Sequence, residues 1–334
     1  MIARNMSKRW PLRLGLALAS AALAFVLLGE AALRAWPPAS VRLFEARVRG
    51  SPGERVIKID ETYEVHPKHG IFQVDPKIGY RPVPGGAKYA PHGAHWNDYT
   101  LAQPAGKRRL LFIGDSVTDR AKLITALSEQ FGDAYEYWNA GVVGYTTTQE
   151  LAYYRDYLAD IPADHVILTF HLNDYEITPV VFELDGEYVS VHSRIGNTYP
   201  NPWLLENSYV YRFGWSWMVS RTGRERAESI ESDVQDGLRA LRDLVRARGA
   251  DFTVLILPWL SPRAEWPEPK PRHHELTLRT LTQLGIRHHA FLETLDRAYA
   301  AGLPIHEQKV DPQHPSLEFA REMVKDLTMQ GFRP

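Results

Sequence analysis

Residues 108–119 read RRLLFIGDSVTD, and this stretch carries both a strand signal and a chemical one. An apolar run typical of a buried strand extends from Leu110 to Gly114, and Asp115 and Ser116 follow at once. A serine in this position is most often the N-cap of a helix. The carboxyl end of a strand is also where an α/β sheet binds its ligands, so a catalytic nucleophile fits equally well. Polar motifs elsewhere in the chain decide whether Ser116 is a helix cap or a nucleophile.

Strand and helix signals alternate from Arg108 to the C-terminus. Short apolar or β-branched runs predict strands at 109–114, 135–141, 164–170, 251–259 and 287–293. Helical spacing of apolar residues predicts helices at 120–131, 147–159, 224–248, 272–284 and 316–329. The alternation predicts a doubly wound, flavodoxin-like α/β fold, in which a parallel sheet of about five strands is flanked by helices.

Further polar signals recur at equivalent places in this pattern. NAGVVG, which ends at Gly144, follows the second strand, and HLND, which contains Asn173, follows the third. DPQH, with Asp311 and His314, precedes the last helix. Each signal alone is weak, because Ser, Asn and Gly are ordinary cap and turn residues. Their joint order favours one catalytic site over a set of unrelated turns.

On these four blocks the chain resembles the SGNH, or GDSL, hydrolases, over roughly residues 108–330. The resemblance implies an SGNH-type fold and a serine esterase that needs no cofactor or metal. It also implies an oxyanion hole formed by the N–H groups of Ser116 and Gly144 and the side-chain amide of Asn173. One position departs from the family pattern, since the residue two places before the block asparagine is commonly glycine and is His171 here. His171 is therefore a candidate pocket residue.

The chemistry of these residue types supports the same roles independently. A serine hydroxyl is a poor nucleophile unless a base accepts its proton, and the imidazole of a histidine such as His314 is the most usual base. Asp311 can accept the other ring N–H of His314 and fix its tautomer. Ser116, His314 and Asp311 are therefore the predicted catalytic triad.

The N-terminus predicts a membrane helix. Leu14–Gly29 is uncharged and apolar, and at 1.5 Å per residue it covers roughly 24 Å, which the flanking residues extend to the ~30 Å of a bilayer core. Arg4, Lys8, Arg9 and Arg13 precede it. A cleaved signal peptide also has a basic start, but Gly29-Glu30-Ala31 is a poor cleavage site. Residues 1–36 are therefore predicted to be a cytoplasmic basic end and an uncleaved single-pass anchor in a bacterial inner membrane, with the rest of the chain outside the cytoplasm.

Two segments lack clear periodicity. Residues 37–107 are rich in Pro, Gly and His and are interpreted as a stalk and an irregular extension. Within them, DPKIGYRPVPG is similar to the region upstream of the catalytic domain in membrane-anchored bacterial SGNH proteins. The second segment, 175–223, is interpreted as an aromatic-rich insertion in a hydrolase domain of 108–334. Its aromatic cluster 207–219 is predicted to pack in the core, with a hydrophobic lid and a membrane-facing patch as the alternatives.

Composition excludes several functions. The net charge is −1, which gives no electrostatic footprint for nucleic acid, and the absence of Cys excludes disulfides and thiolate metal sites. The predicted function is a serine esterase for acyl or acetyl esters, which a small molecule or a cell-envelope glycan would carry. Two alternatives stay open: an O-acyltransferase that modifies a surface polysaccharide, and a non-catalytic glycan-binding protein. The sequence gives no oligomeric state.

Overall fold

The computed structural model describes residues 10–38, 41, 63–66, 70–184, 187–196, 198–309 and 311–334. The chain divides into two compact units, the smaller formed by Met1–Pro67 and Phe182–Arg226 and the larger by Lys68–Val181 and Ala227–Pro334. The predicted basic end before residue 10, and residues 39–40, 42–62 and 67–69 of the predicted stalk and extension, lie outside the described residues.

The larger unit is built on a parallel sheet of five strands, which confirms the predicted fold class. The strands are β4 (Arg108–Gly114), β5 (Tyr135–Asn139), β6 (His165–Phe170), β9 (Asp251–Ile256) and β10 (Arg287–Ala290). Their order is β10-β9-β6-β4-β5, the flavodoxin-like arrangement whose direction of winding reverses between β4 and β6. Gly114 pairs with Thr169, so β4 and β6 end side by side at that point. Ligands of such sheets bind at this crevice.

Helices surround the sheet. They are α2 (Ser116–Asp119), α3 (Lys122–Phe131), α4 (Thr147–Asp156), α7 (Gly223–Ala247), α8 (Lys270–Gln283), α9 (Leu292–Ala300) and α10 (Leu317–Met329). One core cluster joins α3, α9 and α10 to β4, β6 and β9, and it includes Phe112, Leu127 and Phe319. Every residue of β6 is buried, as expected for a strand covered on both faces. Three short 3₁₀ helices complete the unit: Gly132–Ala134, Leu172–Tyr175 and Arg263–Glu265.

The last predicted strand is shorter than expected. It was predicted to run to residue 293, but β10 ends at Ala290 and α9 begins at Leu292. Phe291 is fully buried, and its carbonyl accepts the N–H of Leu295 in the first turn of the helix. One apolar run therefore contains the end of a strand and the start of a helix.

Residues 70–107 belong to the same unit as the sheet. They contain an antiparallel pair, β2 (Phe72–Asp75) and β3 (Gly79–Pro82). Further along, the Lys88 ammonium lies 2.5 Å and the Tyr89 hydroxyl 3.1 Å from Oδ1 of Asp119 in α2. The pKa of Asp119 is lowered because hydrogen bonds and charges from His95 and Lys88 outweigh the effect of burial. This charged carboxylate fixes the upstream segment beside the helix that carries Ser116.

The smaller unit contains the N-terminal helix α1 (Trp10–Ala35), the strands β1 (Tyr63–His66) and β8 (Glu187–Val191), and the helices α5 (Pro202–Asn207) and α6 (Tyr209–Val219). β7 (Val180–Leu184) leads into it and completes a sheet of order β1-β8-β7. The region 175–223 is thus more regular than predicted. The side chains of Asn201 and Ser208 cap α5 and α6, so two neighbouring caps divide the segment into short helices that its periodicity does not reveal.

Within α1, residues Arg13–Ala35 form one candidate membrane span of 23 residues with a mean hydropathy of 2.1 and no buried residues. By length and composition this helix can cross a bilayer, and a signal sequence would satisfy the same criteria.

Candidate active site

Ser116 is the first residue of α2 and stands directly beyond the carboxyl end of β4. The turn between them requires Gly114, which has φ +150°, because a Cβ there would overlap the hydroxyl oxygens of Thr118 and Thr169. The N-cap of α2 is Asp115, whose side chain accepts the N–H of Val117 at 2.8 Å. The capping role considered for Ser116 therefore belongs to its neighbour, and the hydroxyl of Ser116 is left for another partner.

That partner is His314. Its Nε2 lies 2.8 Å from Oγ of Ser116, and its Nδ1 lies 2.7 Å from Oδ2 of Asp311. The fold thus brings Ser116 into one hydrogen-bonded chain with two residues that lie about 200 positions later in the sequence. Ser116 and His314 are each 8% exposed, so bulk water has little access to the bond between them.

Asp311 is held in its charged form. Burial tends to raise the pKa of this carboxyl, but the backbone N–H of Gln313 and hydrogen bonds from His314 outweigh it, so the pKa lies below its usual value. Oδ1 of Asp311 accepts the N–H groups of Gln313 and His314 at 3.0 and 3.2 Å. A charged Asp311 requires the proton of a neutral His314 on Nδ1, so Nε2 accepts the hydroxyl hydrogen of Ser116.

Asn173 lies in the 3₁₀ helix that follows β6. Its Nδ2 donates to Oδ2 of Asp115 at 2.8 Å, and its Oδ1 lies 2.8 Å from Nδ1 of His171. An amide oxygen only accepts, so Nδ1 of His171 carries a proton. One hydrogen of the Asn173 amide binds Asp115, and the second stays available for another acceptor.

His171 has no exposed surface, and its ring stacks on Trp259 with centroids 5.9 Å apart. The ring is therefore covered by protein, and its Nδ1 contacts the side chain of Asn173. The role of His171 as a pocket residue stays a prediction. Burial lowers the pKa of His171 to about 4, and the nearby charges of Lys270 and His314 contribute. The ring is consequently neutral at physiological pH.

Gly144 lies in the loop after β5 with φ +74°, in the left-handed region that favours glycine. The Tyr80 hydroxyl donates to the carbonyl of Val143 at 2.5 Å, and a Cβ on residue 144 would lie 2.9 Å from that hydroxyl. Among the described residues, no acceptor binds the backbone N–H of Gly144. Ser116 opens α2, so its own N–H has no partner within the helix.

Three buried carboxyl groups lie behind the site. The pKa values of Asp115, Glu150 and Asp174 are all raised, in each case chiefly by burial. The charge of Asp115 adds to the rise at Glu150, and the charges of Glu150 and Asp115 add to it at Asp174. Both carboxyl oxygens of Glu150 lack a hydrogen-bond partner in the part of the chain that the structure describes. The groups therefore cannot all be ionised at neutral pH.

Sequence reasoning missed several of these supporting residues. An Asp directly before a short helix is a recognisable capping signal, so the role of Asp115 could have been found. Tyr80, Trp259 and Glu150 reach the site only through tertiary packing, and no local pattern marks them. Among the described residues, no group of three or more His, Cys, Asp or Glu side chains is arranged to hold a metal ion.

No protein-family model matches the chain, and no curated protein matches it in sequence. Among solved structures it is similar to LAE5, an α/β hydrolase from the metagenome of Lake Arreo in Spain, at 17% identity and a TM-score of 0.45, over 70% of this chain and 98% of that one. It is also similar to Axe2, an acetylxylan esterase from Geobacillus stearothermophilus, at 14% identity and a TM-score of 0.44, over 69% and 98% of the two chains. These neighbours are hydrolases, but likenesses this distant assign no activity to the present chain.

Proposed function

We propose that the chain is a serine esterase of the SGNH type that hydrolyses carboxylic esters through an acyl-enzyme. The observation that carries the proposal is the pair of hydrogen bonds at His314, 2.8 Å to Oγ of Ser116 and 2.7 Å to Oδ2 of Asp311. A hydroxyl, a neutral imidazole and a charged carboxylate in this order form a general-base relay for acyl transfer.

In the first half-reaction, Oγ of Ser116 attacks the ester carbonyl as its proton passes to Nε2 of His314. The new C–O bond forms a tetrahedral intermediate whose oxygen carries the negative charge. When the intermediate collapses, His314 returns the proton to the leaving alcohol and the acyl group stays on Ser116. The carboxylate of Asp311 stabilises the imidazolium that exists between these two proton transfers.

The oxyanion requires hydrogen-bond donors that are already oriented. The N–H groups of Ser116 and Gly144 and the second amide hydrogen of Asn173 are assigned this role. All three follow the carboxyl ends of β4, β5 and β6, and none is taken up by the partners described above. Removing one such donor typically costs about 3–4 kcal/mol of transition-state stabilisation.

In the second half-reaction, His314 removes a proton from water, and the resulting hydroxide oxygen bonds to the acyl carbon. When this tetrahedral intermediate collapses, the bond between the acyl carbon and Oγ of Ser116 breaks and His314 returns the proton to Oγ. The carboxylic acid is released and the Ser116 hydroxyl is restored. We assign this activity to the outer face of a bacterial inner membrane, with α1 as the anchor. The length and hydropathy of Arg13–Ala35 support the anchor, and the basic residues that precede it support the orientation. Acyl groups on envelope glycans are the substrates expected there.

The full-length protein in detergent micelles, assayed with p-nitrophenyl acetate and longer acyl esters, tests the proposal. Ser116→Ala is expected to abolish turnover, whereas Ser220→Ala, at an exposed serine, leaves it unchanged. A fluorophosphonate probe should label Ser116 alone, as located by peptide mass spectrometry. Retained turnover in Ser116→Ala would refute the nucleophile, and absence of labelling would favour a non-catalytic protein.

Product analysis separates hydrolysis from transfer. Oligosaccharide acceptors are added to the assay, and the products are weighed by mass spectrometry. Free carboxylic acid is expected as the main product. Acylated sugar in excess of free acid would identify an O-acyltransferase and overturn the esterase assignment.

A further inference from the structure

The helices α5 and α6 expose large apolar side chains to solvent. Trp203 is 66% exposed, Phe213 43%, Trp217 50% and Met218 40%, and together these four residues are called the aromatic face. The prediction that the cluster 207–219 packs mainly in the core is therefore only half correct. Tyr209, Arg212, Trp215 and Val219 do form the buried side of α6.

The buried side of α6 is well fixed within the smaller unit. Trp215 donates its indole N–H to Oγ of Ser193 at 2.7 Å, and Tyr211 stacks on Trp215. Arg212 donates to the carbonyls of Leu205 and Glu206 at the end of α5. The aromatic face is thus the outer side of a specifically packed pair of helices, and its exposure is a property of the fold.

The start of α6 is attached to the membrane-spanning helix. The carboxylate of Glu30 in α1 accepts hydrogen bonds from Oγ of Ser208 and from the N–H groups of Tyr209 and Val210, at 3.1, 3.0 and 3.1 Å. Backbone donors in the first turn of a helix have no partner within the helix, and a negative charge there is favourable. A residue inside the candidate membrane span thereby adds to the cap that Ser208 gives α6.

Two neighbours of Glu30 complete this attachment. Nη2 of Arg34 donates to the carbonyl of Asn207 at 2.9 Å, and its guanidinium lies 4.6 Å from the centroid of the Tyr209 ring. On the preceding residue, Gly29, a Cβ would lie 3.3 Å from a methyl group of Val210. The absence of a side chain at Gly29 therefore allows close approach of α6 to α1.

The position of Glu30 along α1 determines how deep the start of α6 lies in the membrane. Glu30 precedes Trp36, the 82% exposed tryptophan just beyond the end of α1, by six residues, or about 9 Å along a helix. Tryptophan is enriched at the level of lipid headgroups. Helices that lie in the plane of a membrane bury their apolar face about 5–10 Å into the boundary between headgroups and acyl chains. The first turn of α6 is at this depth if Trp36 marks the headgroup level.

We propose that the aromatic face lies in the interfacial layer of the bilayer that α1 spans, beside the point where α1 leaves it. The proposal is independent of the esterase activity and rests on α1 as a membrane span. A lipid surface is the favoured occupant because α6, which carries three of the four residues of the face, is bonded at its start to that span through Glu30 and Arg34. Trp, Phe and Met are also side-chain types that membrane interfaces accept.

The chain has no Cys, so single cysteines can be introduced and labelled without background. Phe213→Cys and Trp217→Cys are made in the full-length protein, labelled with the fluorophore NBD and reconstituted in phosphatidylcholine–phosphatidylglycerol nanodiscs. The discs contain no quencher, 5-doxyl lipid or 12-doxyl lipid. Leu23→Cys in the middle of α1 is the reference for the hydrocarbon core, and Lys325→Cys, whose native side chain is 66% exposed, is the aqueous reference.

The labels at 213 and 217 are expected to lose about half of their fluorescence in 5-doxyl discs and less in 12-doxyl discs. The label at 23 should show the opposite order, and the label at 325 should change little. Labels at 213 and 217 that behave like the label at 325 would overturn the proposal, as would an unquenched label at 23. Discs that hold one copy each exclude a second copy of the chain as the occupant. Quenching that appears only in discs with two copies would therefore also overturn it.

Discussion

Nδ2 of Asn173 lies 2.8 Å from Oδ2 of Asp115, the residue that also caps the helix of the proposed nucleophile. One carboxyl group therefore orients both Ser116, through the N–H of Val117, and the amide proposed to bind the oxyanion. Because the two elements follow adjacent strands, this bond joins the two sides of the crevice where the winding of the sheet reverses.

Replacement of Asn173 by Ala should affect the chemical step much more than substrate binding. The variant lacks one of the three proposed donors to the oxyanion, which forms only after attack on the carbonyl. We expect kcat to fall by about 10²–10³-fold with little change in KM. Steady-state kinetics with a soluble acyl ester measure both constants. A rise in KM at unchanged kcat would show that Asn173 binds the ground state instead.

His171 should act as a positioning residue for Asn173. His171→Phe keeps a ring that can stack on Trp259 but loses the Nδ1–H that holds Oδ1 of Asn173. We expect kcat to fall on the order of tenfold, which is less than the loss on removing the donor itself. His171→Asn carries an amide nitrogen near the position of Nδ1, so it should recover part of kcat. If His171 had only a structural role, His171→Asn would lower kcat more than His171→Phe, because Asn leaves the larger cavity.

The buried carboxyl of Glu150 should make the larger unit less stable as the pH rises. Burial raises its folded-state pKa well above that of an unfolded glutamate, about 4.3. Between these two pKa values the folded state binds more protons than the unfolded state, so the free energy of unfolding falls with increasing pH. Below about pH 4.3 both states are protonated and this contribution to the slope vanishes.

Glu150→Gln removes the titrating group while keeping its shape. The free energy of unfolding of the variant minus that of the wild type is expected to increase with pH. Between the unfolded-state and folded-state pKa values of Glu150 the increase is up to about 1.4 kcal/mol per pH unit. Urea unfolding of the detergent-solubilised protein at pH 5, 6, 7 and 8 gives the free energies. Glu318→Gln, at an exposed glutamate, is the control and should show no such trend. Parallel profiles for Glu150→Gln and the wild type would contradict the raised pKa.

The sequence predicts the sheet well because its signals are local. The run before Gly114 and the β-branched run 164–170 are buried strands, and their apolar residues are sufficient to identify them. The same holds for α7, which lies in the predicted helix 224–248: Val234, Leu238, Leu241 and Val245 are spaced along one side and buried, and Ile230 is partly buried. Such elements depend on periodicity, which a single sequence contains.

The parts that could not be predicted depend on distant partners. Nothing local indicates that Glu30 caps α6, since the two are about 180 residues apart and one lies in an apolar span. The exposure of Phe213 and Trp217 is equally hidden, because an aromatic cluster in sequence is normally core material. Supporting groups of the site, such as Tyr80 and Trp259, are likewise determined by tertiary packing alone.

Gly144 should be irreplaceable for two separable reasons. Its φ of +74° costs an L-residue about 1–2 kcal/mol, and a Cβ would also lie 2.9 Å from the Tyr80 hydroxyl. Gly144→Ala is therefore expected to lower the free energy of unfolding by at least this amount. It should also reduce kcat at least tenfold, because the displaced loop carries a proposed oxyanion donor.

A double-mutant cycle separates the two reasons. Tyr80→Phe removes the hydroxyl and its hydrogen bond to the carbonyl of Val143, at a cost of about 1 kcal/mol. In Tyr80→Phe/Gly144→Ala the steric conflict is absent, so the double variant should be more stable than the sum of the single effects by about 0.5–1 kcal/mol. The backbone cost of the positive φ remains in both Ala variants. Strict additivity would show that Tyr80 moves away freely, and the loop of Gly144 would then be held by other contacts.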